Sequence, residues 1–322
     1  MGLNRATLAG ALVVLAFLLV PTLAGWMGNT YLITMASRIA IYGIVAVSLD
    51  LLIGRGALVT FGHAAYFGLG GYVVGILAFH VTDGSTIFGY GGTNEALIAW
   101  PLAMLVSGLA AAVIGALSLR TSGVQFIMIT LAFAQMLYFV FVALKYYGGD
   151  DGLSLSTRNT FAGERITDAR LFYWICVAAL ALCVLAAWRI LVSRFGMVLQ
   201  GAAASERRMQ ALGFPVYRYR LAAFVIAGMM AGLAGALWAN QNRFVSPDMM
   251  GWTRSGEFMV MVILGGLSSL VGPVIGAAVF MVVESILSGW TEHWQLIFGP
   301  FVLIVALFAP RGIWGLMREG KR

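Results

Sequence analysis

Charge is scarce in this chain. Only 10% of its 322 residues are Asp, Glu, Lys or Arg, while 61% are hydrophobic. A soluble domain carries about 25% charged residues, so an ordinary soluble enzyme or binding module is excluded. Lysine is nearly absent: Lys145 and Lys321 stand among twenty basic residues. Neither has the neighbours of a phosphate-cradling G-x-x-x-x-G-K-[ST] loop, so the chain cannot hold ATP in that way. Cysteine is limited to Cys176 and Cys183, seven apart in one apolar run. Helical spacing puts them two turns apart on one face, too far for a disulfide. They read as packing residues. The three histidines and two cysteines make no metal-ligand spacing, and no nucleophile–base motif occurs. An enzyme reading has nothing to rest on. The formal charge of +7 does not point to nucleic acid, because the bases sit in short loops and at the C-terminus.

What is present is apolar length. Runs of about 20 apolar residues mark membrane spans. They fall near 8–26, 31–53, 57–80, 96–118, 123–145, 171–192, 219–240, 256–268, 272–288 and 294–309. The fold is therefore all-α and polytopic, with about ten transmembrane segments in one domain, 1–322. The first run follows Arg5 as a signal peptide would, but it is long and lacks an A-x-A site. It reads as a retained first helix. The eighth run is too short to cross unaided. With the N-terminus inside, thirteen basic residues fall on the inner side and six on the outer. That satisfies the positive-inside rule and puts both termini in the cytoplasm.

The longest inner interruption is 193–220. It holds Arg194, Arg207, Arg208, Arg218 and Arg220 against one acid, Glu206. Its middle reads as a short amphipathic helix. Ser205, Met209 and Leu212 share one face, and Glu206, Arg207 and Gln210 point elsewhere. Gly213 occupies a C′ position and Pro215 blocks continuation. A basic loop of this kind commonly does no more than fix topology; a docking helix for a soluble partner is the sharper reading.

Glycine is plentiful, at 40 residues, and placed. Gly68, Gly71 and Gly75, then Gly108, Ala112 and Gly115, then Gly228, Gly232, Gly235 and Ala239 form small faces that let helices approach closely. Two glycine-rich breaks, 54–62 and 265–273, interrupt the apolar runs on the inner side. Broken backbone at membrane depth needs protein or a water-filled cavity around it. Ser268 and Ser269 can satisfy such backbone, and small side chains there leave room. Gly266→Leu is expected to fill that room.

Polar residues within or at the ends of spans are Arg38, Asp50, Thr60, His63, Gln125, Thr130, Gln135, Asn240, Gln241 and Glu284. Such charges usually face a cavity or a partner. Asp50 and Arg55, five apart, read as an interfacial ion pair. Glu284 can snorkel. His63 reads as bonded to backbone. No chain of buried carboxylates suggests proton coupling, although broken helices keep an ion-gradient-driven carrier as the alternative.

Several stretches resemble the LivM-type permease subunit of branched-chain amino-acid ABC importers. They are 49–75, ending in FGHAAYFGLGGYVVG; 129–135, ITLAFAQ; 148–153, GGDDGL; 201–213 with 223–239; 263–278, ILGGLSSLVGPVIGAA; and 308–316, FAPRGIWGL. They run in the family's order from about 35 to 316. Departures are Asp50 for a common Asn, Leu58 for Gln, Thr60 for Ser, Gln125 for Tyr and Ser268 for Gly. These leave urea, other amides or small organic acids open as cargo.

The resemblance implies an ABC importer permease fold in the cell inner membrane, with no cofactor on this chain. ATP and Mg would sit on two cytoplasmic ATPase partners. A LivH-like sister permease and a periplasmic substrate-binding protein complete the complex. Coupling to the ATPase would fall to Ser205, Glu206, Arg207, Arg208, Met209, Ala211, Leu212 and Gly213, with Arg207 and Arg208 meeting acids and Met209 and Leu212 filling a groove. The path or gate would use Thr60, His63, Gln125, Thr130, Gln135, Gly265, Gly266, Ser268 and Ser269. Asp150 and Asp151 would contact the binding protein.

Overall fold

The computed structural model describes residues 5–27, 30–87, 90–161, 163–291, 293, 295–300, 302 and 312–318. The expected helices form where the apolar runs lie. They are α1 (Arg5–Met27), α2 (Thr30–Gly56), α3 (His63–Asp83), α4 (Ala96–Ser118), α5 (Val124–Ala143) and α6 (Ala169–Val192). Then come α7 (Arg194–Ala204), α8 (Glu206–Ala211), α9 (Val216–Asn242), α10 (Trp252–Gly265) and α11 (Gly272–Ser288). Among the described residues, α2, α3, α4, α5, α6 and α9 are long and apolar enough to cross a membrane. The expected tenth span, 294–309, lies for the most part outside the described residues.

The three most buried of these helices, α2, α3 and α9, make the centre. Residues 40–52 of α2 are buried almost without interruption, with Ile41, Ile44, Leu49 and Leu52 fully enclosed. A helix apolar all round is what a bundle centre requires. In contrast, α4, α5 and α6 expose Leu109, Val113, Met128, Phe139, Leu182 and Leu185 on their outer faces. In a bilayer those faces meet acyl chains. Cys176 and Cys183 are free thiols buried on the inward face of α6, as packing residues should be.

Glycine sets how closely the central helices cross. A β-carbon at Gly235 of α9 would lie 1.7 Å from the Phe67 carbonyl oxygen of α3, and one at Gly70 would lie 2.0 Å from the Gly232 carbonyl oxygen. Gly228 and Gly232 meet Ala111 and Ser107 of α4 in the same way. This is the small-residue packing that membrane helices favour. The expected face on α3 meets a helix only in part. A β-carbon at Gly71 would lie 3.4 Å from the Gly235 carbonyl oxygen of α9 as well as under Met249, while Gly68 and Gly75 lie under Met250, Leu153 and Val245.

The bundle has two distinct ends. At the cap end, the described parts of loops 84–95, 144–168 and 243–251 are knitted together. Asn240 and Asn159 exchange hydrogen bonds, and the Asn159 side chain donates to the Asn94 carbonyl at 2.9 Å. Short antiparallel pairs join Leu153–Ser154 to Phe244–Val245 and Thr160–Phe161 to Glu164–Arg165. At the elbow end lie the two glycine breaks and α7–α8. Gly10 beside Val271, and Gly312 against Gly266, place the residues nearest both termini at this end as well.

Candidate functional site

The two glycine breaks, more than 200 residues apart in sequence, clasp one another. The backbone N–H of Ser268 donates to Asp50 Oδ1 at 2.8 Å. Arg55 Nη2 donates to the Ser268 carbonyl at 2.6 Å, and the Ser268 hydroxyl donates to the Gly54 carbonyl. Asp50 and Arg55 are thus not the ion pair expected from their spacing. They bracket one residue of the other break, Asp50 at its N–H and Arg55 at its carbonyl. Each charge serves an unwound backbone group that would otherwise lack a partner at this depth. Ser269 completes the arrangement: its hydroxyl donates to the Gly266 carbonyl at 2.9 Å and accepts from Gly272 N–H at 3.1 Å.

The clasp is tightly packed. A β-carbon at Gly265 would lie 2.0 Å from the Gly272 carbonyl oxygen, and one at Gly312 would lie 2.4 Å from Gly266 N. Gly312 packs closely against the backbone of Gly266.

The remaining residues assigned to a path divide. Thr60, His63 and Thr130 are fully buried near the start of α3. Thr60 Oγ1 accepts from Gly62 N–H at 3.1 Å, and a β-carbon at Gly62 would lie 2.8 Å from the Thr130 carbonyl oxygen. His63 bonds to the Ser48 hydroxyl at 2.7 Å, not to backbone as expected. The Ser48 hydroxyl also reaches the Val45 carbonyl at 2.7 Å. Ser255 of α10 accepts from Ala64 N–H at 3.1 Å. The start of α3 is therefore held from both sides. Gln125 is exposed and Gln135 half-buried on α5, and no hydrogen bond joins either to this cluster. Ser48 and Ser255 were missed because a lone serine in an apolar run carries no distinguishing pattern.

Arg38 and Glu284 face a cavity between α2, α9, α10 and α11, together with Tyr42, Trp238 and Arg254. Arg254 pairs with Glu257 at 2.8 Å. Arg254 and Trp238 carried no signal in the sequence, since both sit at the ends of ordinary apolar runs.

The 193–220 loop folds as two helices, not one. Ser205 is extended, at φ −161°, and its hydroxyl accepts from Arg208 N–H, capping α8. At the other end Gly213 adopts φ +85°. Its N–H bonds to the Gln210 carbonyl, and Phe214 N–H bonds to the Met209 carbonyl. That is a Schellman closure, and a left-handed C′ residue is best supplied by glycine.

Glu206 Oε2 pairs with Arg220 of α9 at 2.6 Å, and Arg220 also reaches the Ala202 carbonyl. Leu199 of α7 is fully buried beside Leu52 and Leu58 at the end of α2. Arg207, Arg208, Ala211, Leu212, Gly213 and Phe214 are exposed. Met209 departs from the expectation: it is half-buried and folds back under Gly201 of α7. Leu212 and Phe214, just beyond α8, are exposed apolar residues.

At the cap end, Asp150 and Asp151 are both exposed. Gly148, Gly149 and Gly152 all take positive φ around them. Arg158 donates to the Asn240 carbonyl and stacks 4.8 Å from the Phe172 ring centre. Burial, and then the neighbouring Arg243, lower its pKa from the usual guanidinium value. Among the described residues, no group of three His, Cys, Asp or Glu side chains could hold a metal.

The protein relatives agree with this architecture. The family described as branched-chain amino acid transport system, permease component, matches residues 31–307. LivM, the high-affinity branched-chain amino acid transport system permease protein of Salmonella typhimurium, is 24% identical over 98% of this chain and 77% of its own length. LivM of Escherichia coli is 22% identical over the same shares. LivH of Salmonella typhimurium, a permease protein of that system too, is 29% identical over 47% of this chain and 48% of its own length. No solved structure matches. The chain belongs to the family of permease components of branched-chain amino acid transport systems.

Proposed function

We propose that this chain carries branched-chain amino acids into the cell as one half of a permease pair driven by separate ATPases. The chain is a multi-pass membrane permease subunit of an ABC importer, one of a permease pair, and not an enzyme. The cargo, the two cytoplasmic ATPases and the periplasmic binding protein are the proposed part. In this reading the elbow end faces the cytoplasm and both termini lie there. The cap end faces the periplasm, where Asp150 and Asp151 meet the binding protein.

The observation that supports this reading best is the elbow. Two short helices present Arg207, Arg208, Leu212 and Phe214 outward, while Glu206, Arg220 and Leu199 fasten them to α9 and α2. A surface held this rigidly can pass a partner's movement to the central helices. It would move α2, and with it the clasp on the 266–271 break. ATP and Mg would act only on the partner chains.

The test is uptake by the complex in proteoliposomes. Leucine, isoleucine and valine should enter only with ATP and the binding protein present, and urea, amides and small organic acids should not. ATP-independent uptake driven by an ion gradient would overturn the reading in favour of a secondary carrier.

Topology has its own test. Ser156 lies exposed in the cap-end loop. A Ser156→Cys variant should react with an impermeant thiol reagent once the outer membrane is opened. Reaction only after the inner membrane is broken would reverse the orientation.

A further inference from the structure

The cavity between α2, α9, α10 and α11 has a volume of about 390 Å³ and opens near the cap end. That is within the usual range of small-molecule sites. Its walls carry opposite charges that do not neutralise one another. Arg38 lies eight residues into α2, about 12 Å from its start. Its guanidinium sits 5.7 Å over the Trp238 ring, and its hydrogen bond to Asn242 Oδ1 is long, at 3.5 Å. Arg254 is already paired with Glu257. Glu284 makes no hydrogen bond or ion pair among the described residues.

Glu284 lines this cavity beside Ser285. Tyr31 and Ser285 bond at 2.7 Å, tying α2 to α11 beside it, and Ser285 and Ser288 line the same cavity. Arg38 and Glu284 thus share one space without closing on each other. The rest of the wall is Thr34, Met35, Tyr42, Trp238 and Met281.

We infer that this cavity holds a zwitterionic α-amino acid with an apolar side chain during its passage. Its carboxylate binds between Arg38 and Arg254, its ammonium binds Glu284, and its side chain lies against Trp238 and Met281. The lining charges Arg38, Arg254 and Glu284, taken with the Glu257 that pairs with Arg254, sum to zero, which matches a zwitterion. A dicarboxylate would be repelled by Glu284, and a simple cation by Arg38. Charges within apolar membrane helices usually face a cavity or a partner, and Arg38 of α2 and Glu284 of α11 both line this one. This inference rests on the proposed amino-acid import and names where on this chain the cargo is held.

The experiment measures radiolabelled L-leucine bound to the purified membrane complex without the binding protein, whose own selectivity would mask the site. Unlabelled leucine, 4-methylpentanoate (no ammonium) and leucinamide (no carboxylate) compete. On the wild type each analogue should compete at least tenfold more weakly than leucine, the loss of one charge-assisted hydrogen bond. In Glu284→Gln the handicap of 4-methylpentanoate should vanish while that of leucinamide stays. In Arg38→Gln the handicap of leucinamide should shrink while that of 4-methylpentanoate stays. Structural damage would not produce this crossed pattern.

Equal competition by all three ligands on the wild type, or unchanged discrimination in both variants, overturns the inference whether or not a variant folds. Loss of the sister permease from either variant, with no discrimination on the wild type, assigns the cavity to subunit contact and also overturns it. ATP-driven leucine uptake alongside either result leaves the import reading standing. Absence of leucine uptake by the wild type sinks that reading and this inference together.

Discussion

Arg207→Glu with Arg208→Glu should reduce ATP-driven uptake to background while the chain still inserts and packs. Both side chains are exposed on α8, and the ion pair at this end, Glu206 with Arg220, uses neither. Among the described residues neither guanidinium makes a hydrogen bond or ion pair, so folding should be unaffected. A docked partner facing them would carry acids, and reversing the sign sets like charges together at a cost of several kcal/mol. Each single reversal should give an intermediate loss. The readout is ATP hydrolysis stimulated by the loaded binding protein, which should disappear in the double variant with basal hydrolysis retained. Full stimulation would show that α8 is not the docked surface. A companion variant, Leu212→Asp, tests the apolar part of the same face, since Leu212 is 66% exposed. The corresponding change at Met209 should act differently. Met209 packs under Gly201, so it should loosen the elbow itself.

Much of this arrangement was legible in the sequence, for identifiable reasons. Apolar length alone marks helices here: nine of the expected runs appear as helices, eight within four residues of their expected ends and the third starting six residues late, at His63. The glycine breaks were legible because irregular backbone demands glycine and serine locally. Their pairing was not. Asp50 bonds to Ser268 across 218 positions, and no local pattern signals a contact of that separation. Spacing suggested instead that Asp50 would pair with Arg55, five residues away. The break needed both charges more, because unwound backbone has no other partners. In the loop, amphipathic spacing indicated a helix but not the turn at Ser205. A serine followed by Glu-Arg-Arg is an N-cap signal. Read as such, it would have placed the start of α8 after Ser205, and with it the return of Met209 towards α7. The cavity was hidden for another reason. Its residues come from four helices, each contributing one or two polar groups to an ordinary apolar run.

Gly266→Leu should prevent stable assembly rather than plug an assembled path. The sequence alone suggested open space at this glycine. The structure shows Gly266 at φ +104°, ψ +120°, with Gly312 packed against its backbone. A side chain forced into such a conformation costs about 1–3 kcal/mol before any contact is considered. Leucine must also find volume where a β-carbon on Gly312 would already lie within 2.5 Å of Gly266 Cα. Relaxing either strain moves the Gly266 carbonyl, which accepts from Ser269. That shift spreads to Gly272 and the start of α11. Ser268→Gly is the matched control. Ser268 sits at φ +64°, where glycine is at ease, so the substitution relieves strain while giving up one hydroxyl bond to Gly54. The two effects are each about 1 kcal/mol and opposite in sign, and the Asp50 bond to the Ser268 N–H is kept. Ser268→Gly should therefore assemble and transport as the wild type does. Co-purification with the sister permease reads both outcomes directly. An assembled Gly266→Leu complex with basal ATP hydrolysis and no uptake would mean that the break opens during transport and that Gly266 then faces the cargo.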